Sequence, residues 1–383
     1  MKSGKSKFRP IDWETVSSTR TDRMMLWLTV LLTLVGLVCM FSASYANAIY
    51  YEGDGFYYIK KQAFFAAMGF VAMMVISYIP YKWLHKLAWP VFLLGYALLW
   101  ATLLFPPTNN SRRWIYVGGF SFQPSEAMKF CIILLFAHLI SMHPEKMDTF
   151  AIGFCRYGVY LVLVCIPMVL QPHISGTVLI LLIGFAVMWC GGTKFKHFLI
   201  GGAVGLGAAT PLLLFVPKFK YALQRITSMG GGDTSSDMYQ TYQSMIAIGS
   251  GGLFGLGLGN SRQKQMYVPF AQNDFIFAIV CEELGFVGAV FIIILFIMLI
   301  LRGINIAMNS RDKFGALLVS GIMAQIALQV SLNIAVVSGA VPNTGIALPF
   351  FSQGGTALFI LLCELGVVLS VARYTGAENG SGE

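Results

Sequence analysis

Residues 274–301 read DFIFAIVCEELGFVGAVFIIILFIMLIL. From Phe286 to Leu301 the run carries no charge. A helix of about 20 apolar residues crosses the hydrocarbon core of a bilayer. A helix on the surface of a soluble protein would instead alternate an apolar stripe with a polar face. This stretch therefore predicts a membrane span, entered through three carboxylates at Asp274, Glu282 and Glu283.

Nine further apolar blocks lie around it, at 24–46, 61–79, 84–105, 124–142, 157–171, 174–191, 197–217, 314–339 and 354–373. The fold class expected is an all-α polytopic membrane protein with about ten transmembrane helices. Composition agrees: 57% of the 383 residues are hydrophobic and 11% charged, with mean hydropathy +0.71, whereas soluble domains carry about 25% charged residues. The block at 24–46 is too long for the apolar part of a cleaved leader and reads as the first span.

The net charge of +9 does not point to nucleic acid, because the basic residues sit in short loops between apolar blocks. Sixteen of the 26 Lys and Arg fall on the side of the N-terminus and ten on the other. That bias places both termini in the cytoplasm. The expected organisation is a basic cytoplasmic tail at 1–23, a membrane domain at 24–373 and a cytoplasmic tail at 374–383. Residues 218–273, between the seventh and eighth spans, form the single long extracytoplasmic loop. Long connections are commonly functional. This one gathers Lys218, Lys220, Arg225, Arg262 and Lys264 against the charge rule, so an anion is expected at the outer face. The seven cysteines show no metal-like spacing and read as small core residues. The histidines are scattered, and no metal site is expected.

Four constellations could carry chemistry. Asp274 stands where the long loop enters the eighth span. There it is either a partly desolvated general base or an ordinary helix cap. In Ser111-Arg112-Arg113-Trp114, two guanidiniums beside an indole suit a pyrophosphate and a sugar. The string Gln123-Pro124-Ser125-Glu126, with Lys129, is a candidate for the same site. It is also a plain helix start, whose Glu126 and Lys129 share a face. Gly and Pro between Asn333 and Gly355, with Ser352 among them, predict irregular backbone buried in protein or lining a cavity, or else a tight re-entrant turn with no chemistry. Glu282, Glu283 and Glu364 are carboxylates within apolar spans. Glu282 lies about 12 Å along the helix from Asp274, which favours a buried hydrogen-bonded role.

Together these segments resemble the SEDS family (shape, elongation, division and sporulation) of FtsW, RodA and SpoVE. The strings that carry the resemblance are Arg112-Arg113-Trp114-Ile115, Gln123-Pro124-Ser125-Glu126, Ile248-Gly249-Ser250-Gly251-Gly252, Asp274-Phe275-Ile276-Phe277 with Glu282-Glu283-Leu284-Gly285, and Pro349-Phe350-Phe351-Ser352 with Gly354-Gly355. The stretch from Gly255 to Lys264 looks more like FtsW or SpoVE than RodA. Phe270 and Gln353 depart from the family pattern, where Glu and Tyr are usual.

The resemblance implies an inverting peptidoglycan glycosyltransferase. It would polymerise lipid II on the outer face of the cytoplasmic membrane, with undecaprenyl pyrophosphate as leaving group. Asp274 would be its catalytic carboxylate. Arg112, Arg113, Arg262 and Lys264 would neutralise pyrophosphate, and Trp114, Gln123, Ser125, Glu126, Lys129 and Ser352 complete the substrate-binding set. No cofactor is required by these residues, although a divalent cation, Mg or Mn, could assist at the pyrophosphate. Expected partners are a class B penicillin-binding protein and other divisome proteins, with enrichment at the septum. The rival readings are a lipid II flippase and a non-catalytic division scaffold.

Overall fold

The structure, a computed structural model, describes residues 21–107, 111–117, 120–203 and 236–375. Its helices are α1 (Arg23–Glu52), α2 (Tyr57–Tyr78), α3 (Lys82–Ala101), α4 (Pro124–Met142), α5 (Arg156–Leu170), α6 (Ile174–Gly191), α7 (Ser236–Ser250), α8 (Ile276–Met308), α9 (Lys313–Val337) and α10 (Gly355–Thr375). A further helical stretch covers 195–203. Among the described residues nine helices, all of these but α7, are long and apolar enough to cross a membrane. The chain is a multi-pass membrane protein, as its composition requires. Most of the seventh expected span, 197–217, lies outside the described residues.

Local chemistry sets the ends. Asp22 caps α1 by accepting from Met25 N at 2.9 Å, and Asp312 caps α9 through Gly315 N at 2.6 Å. Each supplies an acceptor to a first-turn N–H that has no partner within the helix. Pro124 opens α4, where its fixed φ and missing N–H cost nothing. Pro167 is accommodated near the end of α5, which is short and preceded by a single π turn at Ala151–Cys155.

Connections fall alternately at two ends of the bundle. One end, the tail end, joins both termini of the helical domain: Arg302 binds Asp22 through two nitrogens (2.6 and 3.0 Å), and Arg373 donates to Thr21 at 2.6 Å. Tyr81 donates to Asp312 there, and Lys313 to Gly191 O. The opposite end, here called the site end, carries 111–123, 171–173, 251–275 and 338–354. A short antiparallel pair, β1 (Ile115–Val117) and β2 (Phe120–Phe122), forms part of it, tied to α10 by Thr356 Oγ1 donating to Ser121 O.

Two expectations are corrected here. Residues 236–250 of the expected loop are helical: Ser244 of α7 is buried and donates to Val337 O at 2.9 Å. Residues 218–235 lie outside the described residues. The cysteines are also not uniformly core: Cys39, Cys131 and Cys281 are buried, but Cys155 and Cys190 are exposed.

Candidate active site

The glycines around 251–259 and the two glutamates of α8 have one structural purpose. Gly285 leaves helical geometry (φ 69°, ψ −171°) and breaks α8. The backbone of 251–257 then lies directly on the break: Leu256 N and Gly257 N donate to Glu282 O and Glu283 O at 2.9 and 3.0 Å. A Cβ on Gly255 would sit 2.2 Å from Glu283 O, so nothing larger fits. The side chains extend the same joint. Glu282 accepts from Ser261 Oγ and from the backbone N of Arg262 and Gln263. Glu283 accepts from Ser42 Oγ of α1 at 2.7 Å and from Lys264 Nζ at 2.7 Å. Glu282 has the buried, hydrogen-bonded role expected of it, and Glu283 is buried and hydrogen-bonded beside it.

Lys264 is therefore corrected. Its ammonium is buried and committed to Glu283 and Ser42, because two carboxylates within an apolar span need a cation and donors. It is not presented to a ligand. Arg262 is different: its backbone is fixed by Glu282, but its side chain is exposed. It lines a shallow groove with Asn260, Gln265 and Tyr267.

Asp274 is half-buried and immediately precedes Phe275, the residue at the N-cap of α8. Its main-chain oxygen accepts from Asn333 Nδ2 at 2.7 Å, and the same amide reaches Ile346 O at 2.8 Å. Gln272, two residues earlier, accepts from Asn47 of α1 through its side chain and from Gln353 N through its main chain. The backbone that carries Asp274 is thus held by α1, α9 and the segment 338–354. That segment is irregular, as its Gly and Pro predict. It enters the bundle at Phe350 and Phe351, which are buried against Phe296, with Phe350 O close to Gly36 of α1.

A second cluster lies at the start of α4. Arg112 is exposed and donates to Leu103 O at 2.8 Å; Arg113 donates to Pro172 O at 3.3 Å. The two guanidiniums of the expected pair thus take different main-chain partners, and Trp114 beside them is half-buried. Gln123 contacts the ring of the buried His173 at 3.3 Å. Burial, with Arg113 and Lys129 nearby, pulls the His173 pKa down to about 3, so the ring is neutral at physiological pH. Lys129 is buried and pairs with Glu126 at 2.6 Å. This pair caps a cavity of about 40 Å³ lined also by Gln325, Gln329, Ser352 and Glu364. Gln325 donates to Glu364 at 2.8 Å, while Oε1 of each has no donor from the protein. At about 10–15 Å³ per water, the space has room for roughly three or four. Ser125 Oγ is buried nearby. Ser352 lines the cavity, but its hydroxyl oxygen accepts from Leu348 N at 2.7 Å, which holds the turn at 348–352.

Sequence reasoning missed His173, Asn333, Gln272 and Gln325 as parts of these clusters. A polar break (Gln171-Pro172-His173) between two apolar blocks was the available signal for the first. A lone amide within a span was the signal for Asn333 and Gln325.

A helical membrane bundle with a broken helix, a buried re-entrant segment and a carboxylate at their junction defines the class. The chain belongs to the FtsW/RodA/SpoVE family, described as cell cycle protein, whose pattern matches residues 22–377. It is 39% identical over 376 residues to stage V sporulation protein E of Bacillus subtilis strain 168, covering 94% of this chain and 99% of that one. It is 37% identical over 365 residues to a probable peptidoglycan glycosyltransferase FtsW of Geobacter sp. strain M18, covering 93% and 98%. Among solved structures it matches a chain described under structural coordination of polymerization and crosslinking by a peptidoglycan synthase complex. The TM-score there is 0.76, with 26% identity and 92% and 98% of the two chains covered. The rod shape determining protein RodA of Thermus thermophilus matches with TM-score 0.68 and 25% identity, covering 93% and 97%.

Proposed function

We propose that this chain polymerises lipid II into glycan strands at the outer face of the cytoplasmic membrane, in septal wall synthesis, with Asp274 as general base. The observation that carries the reading is the junction at Asp274. A half-buried carboxylate is fixed through its own main chain by Asn333, at the end of the bundle that also gathers Arg112, Arg113 and Arg262. Relatives named peptidoglycan glycosyltransferase support the activity.

The chemistry needs few groups. The 4-hydroxyl oxygen of the acceptor sugar attacks the anomeric carbon of the donor, and the carbon–oxygen bond to pyrophosphate breaks. Asp274 takes the hydroxyl proton and releases it to solvent. One displacement inverts the centre, from an α-linked lipid to a β-linked strand. The leaving pyrophosphate gains charge as the bond breaks, and guanidiniums at the site end stabilise it. Arg112, Arg113 and Arg262 take this part; Lys264 does not. Trp114, Gln123, Ser125 and Ser352, with the Glu126–Lys129 pair, complete the substrate-binding set. A divalent cation would assist at the pyrophosphate; the described residues include no group of three metal-ligating side chains to hold it.

Orientation follows from charge. The tail end carries Lys82, Lys86, Lys146, Arg156, Lys194, Lys196, Arg302, Arg311, Lys313 and Arg373, so it faces the cytoplasm and the site end faces out. The similarity to a chain of a peptidoglycan synthase complex that couples polymerization and crosslinking supports a crosslinking partner; in this reading the partner is a class B penicillin-binding protein, with other divisome proteins around it.

The test is purified chain in nanodiscs with lipid II, alone and with such a partner. Polymer that increases with the partner is expected. Movement of lipid II across the bilayer without any polymer would contradict the reading.

A further inference from the structure

The segment that presents Asp274 is closed into a ring. It begins at Ser261–Lys264, is pinned there to α8, and returns to α8 at Ile276, seven residues before Glu283. Gln265 N donates to Arg262 O, Val268 N to Gln263 O and Asn273 N to Phe270 O, all at 3.0 Å. Within it two non-glycine residues, Met266 (φ 68°) and Phe270 (φ 51°), hold left-handed backbone. Such conformations persist only where the surroundings over-determine them, and they concentrate at functional sites. Phe270 stacks on Tyr51 of α1 (5.4 Å between centroids, 18° between planes).

What over-determines the ring is the buried polar joint. Glu282 holds Ser261, Arg262 and Gln263; Glu283 holds Lys264 and, through Ser42, α1. All of Ser261, Lys264, Glu282 and Glu283 are buried. We propose that Glu282 and Glu283 are positioning residues: with Ser261, Lys264 and Ser42 they clamp the ring 265–275 and thereby set the Asp274 carboxylate relative to the substrate. The proposal rests on Asp274 being the general base. The glutamates themselves do not touch substrate. They stand a little over two helical turns along α8 from Asp274.

A displaced base loses rate more than binding, since small misplacements can cost about 100-fold in the reacting step. Glu283→Gln and Lys264→Met each leave the partner buried and unpaired; the double variant removes both charges and relieves that penalty. The experiment measures polymerisation against lipid II concentration for these three variants and for Ser42→Ala and Asp274→Asn. Each is purified with the penicillin-binding protein partner, and melting is recorded in parallel.

The expected result is a kcat lowered about 10- to 100-fold in each single charge variant, with KM within about threefold. The double variant should recover at least about tenfold over the slower single. Ser42→Ala keeps the ion pair and should lower kcat several-fold at unchanged KM. It carries the test where a charge variant does not fold. Wild-type kcat in the charge variants and in Ser42→Ala overturns the clamp. So does a raised KM with unchanged kcat, which would return Lys264 to substrate binding, or a double variant no faster than the singles. If Asp274→Asn is inactive while the clamp variants are normal, only the clamp fails. If Asp274→Asn polymerises normally, the general-base reading fails first.

Discussion

Asp274 faces Gly345: a Cβ built on that glycine would stand 3.4 Å from the Asp274 Oδ2. Gly345 holds φ +65°, and the next residue, Ile346, shares the Asn333 amide with the Asp274 main chain. The segment 338–354 is thus one wall of the site. Gly345→Ala adds a methyl against the carboxylate and forces an L side chain into left-handed backbone, at about 1–2 kcal/mol. The expected outcome is a lower melting temperature together with a polymerisation rate reduced more than that small loss of stability explains. A wild-type rate would place the reacting groups elsewhere.

His173 links stability to pH. Its ordinary pKa of 6.5 is drawn down to about 3 by burial and by Arg113 and Lys129. Between those values the unfolded chain binds a proton that the folded one does not, so stability rises with pH there. The contribution is fully present above pH 6.5 and is lost as pH falls towards 3. Melting of the purified protein across this window should show the decline. His173→Gln should flatten it while keeping a polar side chain beside Gln123. An unchanged pH slope in that variant would remove His173 from the account.

Orientation is checked by labelling. In a cysteine-free background, Tyr267→Cys at the site end and Arg311→Cys at the tail end both replace exposed side chains. An impermeant thiol reagent applied to intact cells, or to spheroplasts where an outer barrier blocks entry, should label the first and spare the second. The reverse pattern would invert the topology and the site assignment with it.

How much of this was legible in the sequence depends on how local each signal is. The bounds expected for α4 and α6 agree with the structure at both ends, because Pro124 and Gly192 are adjacent punctuation. Helix α7 was read as loop: Gln240, Ser244 and Gly249 interrupt any apolar run, and its burial comes from Val337 on another helix. At Asp274 the sequence left a general base and a helix cap open, since a carboxylate at the entry of a span suits either role. Lys264 was misread because its partners are distant in sequence, Glu283 by 19 positions and Ser42 by 222. Charge placement in the chain said that it met an anion. Only the fold shows that the anion is a buried glutamate.

The general-base claim itself is tested most directly at Asp274. Asp274→Asn keeps the size and the main-chain oxygen that Asn333 holds, so folding and melting should stay near wild type. A positioned general base contributes about 100- to 10,000-fold, and polymerisation by the purified variant with its partner should fall by at least about 100-fold. Binding of lipid II should change little, because the guanidiniums of Arg112, Arg113 and Arg262 carry the pyrophosphate. The measurement is the rate of glycan-strand formation from lipid II, set beside a binding assay on the same preparation. A folded Asp274→Asn protein that binds lipid II and polymerises it at the wild-type rate would contradict the account.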